Sequence, residues 1–163
     1  MKLFLDTADL RELDRWLATG WFDGITTNPT ILKKAGFANP MEAWKKILEL
    51  KARHTAEPLS LSAEVFCDTP EEMVVQAKAF VGELKYPGLA IKIPILTSNG
   101  KNCLSVIRTL AKEKIAVNCT GCITWVQAFA AAKAGAAFVS LLYRRIMDAG
   151  LDGKEEIRKT RDL

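Results

Sequence analysis

With 163 residues, 49% hydrophobic and 26% charged, the chain can bury one sizeable core, and the composition excludes a disordered or fibrous protein. A formal charge of +4, with basic residues scattered among acidic ones, excludes a nucleic-acid binder built on basic runs. No apolar run is long enough to span a membrane, and only three apolar residues separate Lys2 from Asp6, so neither a membrane role nor a signal peptide is expected and the cytoplasm is the predicted location.

Leu3-Phe4-Leu5-Asp6 reads as a first strand, and Leu10, Leu13, Trp16 and Leu17 lie at helical spacing until Gly20 stops the helix. Gly24 to Pro29 is a second strand running into a turn, and Ile31-Leu32 suggests a short helical turn. Asn39-Pro40-Met41-Glu42 has the cap, first-turn proline and N3 glutamate of a helix start, and that helix carries Trp44, Ile47, Leu48 and Lys51 to about His54. Leu59 to Phe66 is a third strand, and Thr69-Pro70-Glu71-Glu72 starts a helix that ends near Gly82. Leu89 to Pro94 is strand four, residues 98–112 the next helix, Ile115 to Thr120 strand five, Trp125 to Ala134 an alanine-rich helix, and Ala137 to Leu142 strand six. A last helix starts near Lys154. Strands alternating with helices, without a shift of composition between them, predict an α/β domain with a parallel sheet covered by helices.

The apolar strand Leu89-Ala90-Ile91-Lys92-Ile93-Pro94 holds a lysine at its centre. Alternation puts Ala90, Lys92 and Pro94 on one face and Leu89, Ile91 and Ile93 on the other. A lysine held away from water is expected to have a lowered pKa and to become a nucleophile suited to Schiff-base chemistry; the alternative is a lysine at the frayed end of an edge strand, snorkelling to solvent. Every strand carries a polar residue toward its C-terminal end: Asp6, Thr26 with Asn28, Glu64, Lys92, Asn118 with Thr120, and Ser140. In a (β/α)8 barrel all of these face one interior, whose C-terminal rim is where active sites sit. In an open doubly wound sheet each would need its own partner under a helix. The barrel is therefore the predicted architecture, as one domain over residues 1–163. Six units stand where a closed barrel has eight, so the domain is expected to be incomplete at its C-terminus: either the chain is a piece of a larger protein, or something else covers the open edges of strands one and six.

Cys67, Cys103, Cys119 and Cys122 read as reduced, buried thiols. Cys119-Thr120-Gly121-Cys122 has the C-x-x-C form of a redox pair or half a zinc site, but no second pair exists and His54 is the only histidine, so no structural metal is expected. The segment also looks like a strand in progress, where a redox motif wants a helix to begin.

Taken together, Leu5-Asp6-Thr7-Ala8, Gly24-Ile25-Thr26-Thr27-Asn28-Pro29-Thr30, Glu64, Lys92-Ile93-Pro94, Thr120, and Arg145 followed by Asp152-Gly153 resemble the small transaldolases and fructose-6-phosphate aldolases, class I aldolase barrels. The resemblance implies that Lys92 forms an imine with the ketone of a ketose phosphate, and that Asp6 moves the proton of the hydroxyl whose deprotonation breaks the carbon–carbon bond. It implies that Glu64 and Thr120 hold a proton-shuttling water, that Asn28 and Asn118 bond substrate hydroxyls with Thr26 and Ser140 in support, and that Arg145, in the loop after strand six, holds the phosphate. No cofactor is implied, since the protonated imine is the electron sink. Sugar phosphates are the expected partners, with no nucleic acid and no membrane, and a homo-oligomer is expected. Glu64 and Ser140 match the transaldolase branch, which moves a dihydroxyacetone unit between sugar phosphates in pentose phosphate metabolism, whereas Leu142 stands where both branches place an aromatic residue. Release of free dihydroxyacetone by an aldolase, and a non-catalytic barrel fragment, remain as alternatives.

Overall fold

The computed structural model describes residues 2–162, in which six strands are each followed by one or two helices, eight in all. By backbone contacts the chain forms two compact units: the residues up to Phe66 together with Lys78–Ala90, and Cys67–Ala77 together with the residues from Ile91 onward.

The first unit holds β1 (Phe4–Asp6), α1 (Leu10–Leu17), β2 (Gly24–Thr26), α2 (Pro29–Lys34), α3 (Pro40–His54) and β3 (Ser60–Glu64). β1 pairs with β2 and β2 with β3, all parallel, with Asp6 opposite Thr26 and Thr26 opposite Ser62. Gly24 is required here, because a Cβ would meet the Phe4 ring at 2.3 Å and the Ser60 carbonyl at 2.8 Å. The core gathers Leu5, Leu13, Ile25, Trp44, Ile47 and Leu61, with the Trp44 indole edge-on to Phe80, centroids 4.8 Å apart.

α4 (Pro70–Leu84) and β4 (Leu89–Pro94) are each divided between the two units, α4 after Ala77 and β4 after Ala90. The second unit continues with α5 (Leu104–Lys112), β5 (Val117–Cys122), α6 (Trp125–Ala134), β6 (Phe138–Leu141), α7 (Tyr143–Asp148) and α8 (Gly153–Arg161). β4 pairs with β5 and β5 with β6, again parallel. Within neither unit does the strand order reverse, as it would at the switch point of a doubly wound sheet. The class is α/β with six parallel strands, consistent with six of the eight units of a (β/α)8 barrel.

Two expectations are corrected. Residues 98–103 are not helical: Ser98-Asn99 forms the centre of a turn closed by the Gly100 amide donating to the Thr97 carbonyl at 3.0 Å, and Gly100, at φ 82°, takes the left-handed conformation that a helix would not allow. The segment after strand six is not a loop but α7, closed because Ile146 is fully buried and its amide donates to the Leu142 carbonyl at 2.9 Å.

Candidate active site

In the first unit the parallel register sets Thr26 beside Asp6, and the Thr26 hydroxyl donates to Asp6 Oδ1 at 2.7 Å. Asp6 is the last residue of its strand and is exposed, so its carboxylate is held by one neighbour while open to solvent on a cleft of about 280 Å³ lined by Thr7, Asp9, Ile31 and Lys34. Asn28 closes β2's turn by capping α2: its backbone is extended, and Oδ1 accepts the Ile31 amide at 2.9 Å. With that oxygen engaged, what Asn28 can offer a ligand is its NH2 group. Glu64 ends β3 and is half-buried.

Between Thr26 and Asn28, Thr27 points the other way, as alternation requires. Its fully buried hydroxyl accepts from the Trp44 indole Nε1 at 2.9 Å and donates to the Ser62 carbonyl at 3.1 Å. This chain ties the Thr26–Asn28 turn to α3 and β3. Helical spacing marks Trp44 as core but gives no sign of the hydroxyl its indole would find.

In the second unit Lys92 is buried, only 7% exposed, between Ile91 and Ile93, which are fully buried. Lys92 is thus an interior residue of β4 and does not snorkel from a frayed end. Its register partner on β5 is Asn118, and Pro94 stands opposite Thr120. Asn118 and Thr120 are buried, and the half-buried Ser140 on β6 donates its hydroxyl to Asn118 Oδ1 at 2.8 Å. The sheet therefore brings Lys92, Asn118, Thr120 and Ser140 together through register alone. Arg145 sits on α7 and is exposed, not in a loop. Asp152 has a structural duty: its carboxylate accepts the Lys154 and Glu155 amides at 2.9 and 3.2 Å, capping α8.

Cys119 and Cys122 lie in β5, both fully buried, with their sulfurs 3.8 Å apart. The contact with Cys122, followed by burial, pushes the Cys119 thiol well up, while the same contact holds Cys122 below the ordinary thiol value against the effect of its own burial. Burial pushes up Cys67 and Cys103 as well. Among the described residues no three His, Cys, Asp or Glu side chains are grouped to hold a metal ion, and no helix is long and apolar enough to cross a membrane.

A family model described as Transaldolase/Fructose-6-phosphate aldolase matches residues 3–163. The chain belongs to the transaldolase/fructose-6-phosphate aldolase family. Over 153 residues it is 37% identical to a protein of Dehalococcoides mccartyi named "Probable transaldolase", a match covering 94% of this chain and 66% of that one. A protein of Caulobacter sp. (strain K31) with the same name is 38% identical over 164 residues, covering 100% of this chain and 69% of that one. The chain thus spans about two thirds of the length of these family members. Among solved structures, that of 2,3-dimethylmalate lyase matches with a TM-score of 0.57 and 15% identity over 91% of this chain and 63% of that chain, a likeness that shows the fold alone. The transaldolase/fructose-6-phosphate aldolase family is an enzyme family, and the segments quoted from the sequence fall within the residues that the model matches.

Proposed function

We propose that the chain carries a transaldolase site, in which Lys92 forms a Schiff base with a ketose phosphate and a dihydroxyacetone unit passes to an acceptor aldehyde. The observation that carries this reading is a buried lysine in register with a buried asparagine, in a chain of the transaldolase/fructose-6-phosphate aldolase family. Lys92 Nζ attacks the ketone carbon, and loss of water gives the imine, whose protonated form accepts electrons. Asp6 takes the proton of the hydroxyl on the far side of the bond to be broken, the aldehyde leaves, and the bonding pair moves into an enamine. The enamine attacks the acceptor aldehyde, Asp6 returns the proton, and water hydrolyses the imine.

Glu64 and Thr120 are assigned the water that shuttles protons as the imine forms and is hydrolysed. Asn28, through its NH2, and Asn118 are assigned the substrate hydroxyls. The hydroxyl of Thr26 on Asp6 and that of Ser140 on Asn118 support this division, since each fixes the orientation of the group it touches. Arg145 is assigned the phosphate as a guanidinium donor reaching from α7.

Borohydride reduction in the presence of fructose 6-phosphate tests the reading: the sugar-derived mass is expected on the peptide holding Lys92 and absent in Lys92→Ala. An intact, folded chain that traps no sugar refutes it. Turnover that needs an acceptor aldehyde supports transfer, whereas release of dihydroxyacetone without one makes the chain an aldolase.

A further inference from the structure

The imine chemistry makes no use of Cys119 and Cys122, yet the fold brings their sulfurs into contact. On a regular strand, residues three apart point to opposite faces. Here Cys119 stands opposite Val139 and Cys122 opposite Leu141, so β5 takes three steps where β6 takes two. Val139 and Leu141 share a face, and the extra residue in β5 turns Cys122 onto the face of Cys119. Gly121, at φ 79°, supplies the left-handed backbone that the bulge needs. The sulfurs end 3.8 Å apart, and side-chain rotation closing that gap by about 2 Å would reach bonding distance.

The two thiols are not equivalent. Either sulfur can donate in their contact; that contact raises the Cys119 thiol and lowers Cys122, so Cys122 is assigned the larger thiolate fraction and the first attack. Cys67 is half-buried and Cys103 fully buried, and both are pushed up by burial.

We propose that Cys119 and Cys122 form a dithiol oxidation site, closed by hydrogen peroxide to an intrachain disulfide within β5. The Cys122 thiolate attacks one peroxide oxygen; an S–O bond forms, the O–O bond breaks, and hydroxide leaves. Cys119 gives up its proton and attacks the sulfur of the resulting sulfenic acid; the S–S bond forms and the second hydroxide leaves. The sulfurs lose two electrons, peroxide gains two, and the two thiol protons complete two waters. Thr120 and Gly121 lie inside the closed ring, so oxidation fixes the backbone of the bulge.

Peptide mapping of the folded chain, after limiting peroxide, a catalase quench and alkylation in denaturant, tests this without any assay of activity. The expected result is that two of the four cysteines become unreactive to alkylation. The Ile115–Lys133 peptide should lose the mass of two hydrogens, and dithiothreitol should restore it. A peptide that stays alkylatable while Cys67 is oxidised, or one that gains oxygen without losing hydrogen, overturns the proposal. In Cys119→Ser, dimedone should trap a sulfenic acid on Cys122, and in Cys122→Ser, Cys119 should stay reduced; the reverse pattern overturns the assignment of roles. If either variant fails to fold, the map of the unaltered chain still decides.

Discussion

At the scale of single residues, the contacts around the site separate groups that do chemistry from groups that hold them. Under the proposed mechanism Asp6 belongs to the first class: changing it to Asn keeps the size and the contact with Thr26 but would remove the proton acceptor. Asp6→Asn is expected to lower kcat about 10²- to 10⁴-fold while borohydride still traps the imine at Lys92, because imine formation precedes the step that Asp6 serves; loss of both would place Asp6 in a structural role. Trp44 is in the second class. Trp44→Phe keeps a ring against Phe80 but removes the indole bond to the buried Thr27 hydroxyl, which keeps its bond to the Ser62 carbonyl, at a cost of about 0.5–1.5 kcal/mol. Trp44→Ala adds a cavity and is expected to cost about 3–5 kcal/mol, and urea unfolding of the two variants checks that order. Asp68 gives a pH-dependent contact. The Ser98 hydroxyl, and then the Ser98 amide at 2.9 Å, hold its carboxyl below the ordinary carboxylate value. A lowered folded value means that the stabilisation is complete above the unfolded pKa and is lost as pH falls through the folded one. An NMR titration of Asp68 should therefore show its midpoint below the usual range, and Ser98→Ala should move that midpoint upward.

At the scale of elements, α6 carries its boundary signals in its sequence. Thr124 and Gln127 form a reciprocal capping box, and Gly135 ends the helix at φ 105°. Thr124→Ala is expected to cost about 1 kcal/mol. Gly135→Ala should cost more, since an added Cβ would both strain the backbone and meet Ala111 Cβ at 2.7 Å; thermal unfolding of the pair reads the difference. Such explicit caps explain why α3 and α6 are legible from residues alone. α7 is not, because its N-cap, Leu142, makes no side-chain cap bond and six residues are too short to display a period. Within each unit, polar residues near the strand ends were legible from a period of two, and register then joined Lys92 to Asn118 and Asp6 to Thr26. Two things had no local signal: the bulge at Gly121, which depends on how β6 pairs, and the Trp44–Thr27–Ser62 chain, which links residues far apart in sequence.

At the scale of the whole molecule, the second unit leaves apolar surface that its own helices do not cover. α6 and α8 are joined where the Trp125 amide donates to the Glu156 carboxylate at 2.6 Å, and on these helices Val126 and Ile157 are 53% and 44% exposed. β6 has β5 on one side, and all four of its residues remain half-buried, whereas five of the six in β5 are buried. Apolar side chains at such levels of exposure favour association, and a net charge of +4 over 163 residues opposes it only weakly. We propose that this surface takes a second copy of this chain, in which case sedimentation velocity over a range of concentrations should show the mean mass rising from that of one chain. Val126→Glu with Ile157→Glu places like charges on the exposed surfaces of α6 and α8 and should shift the transition to higher concentration, at least tenfold if the pair contributes about 1.4 kcal/mol to association. A chain that sediments as a monomer at every concentration tested, or a double variant that associates as before, would show that this face takes no second copy.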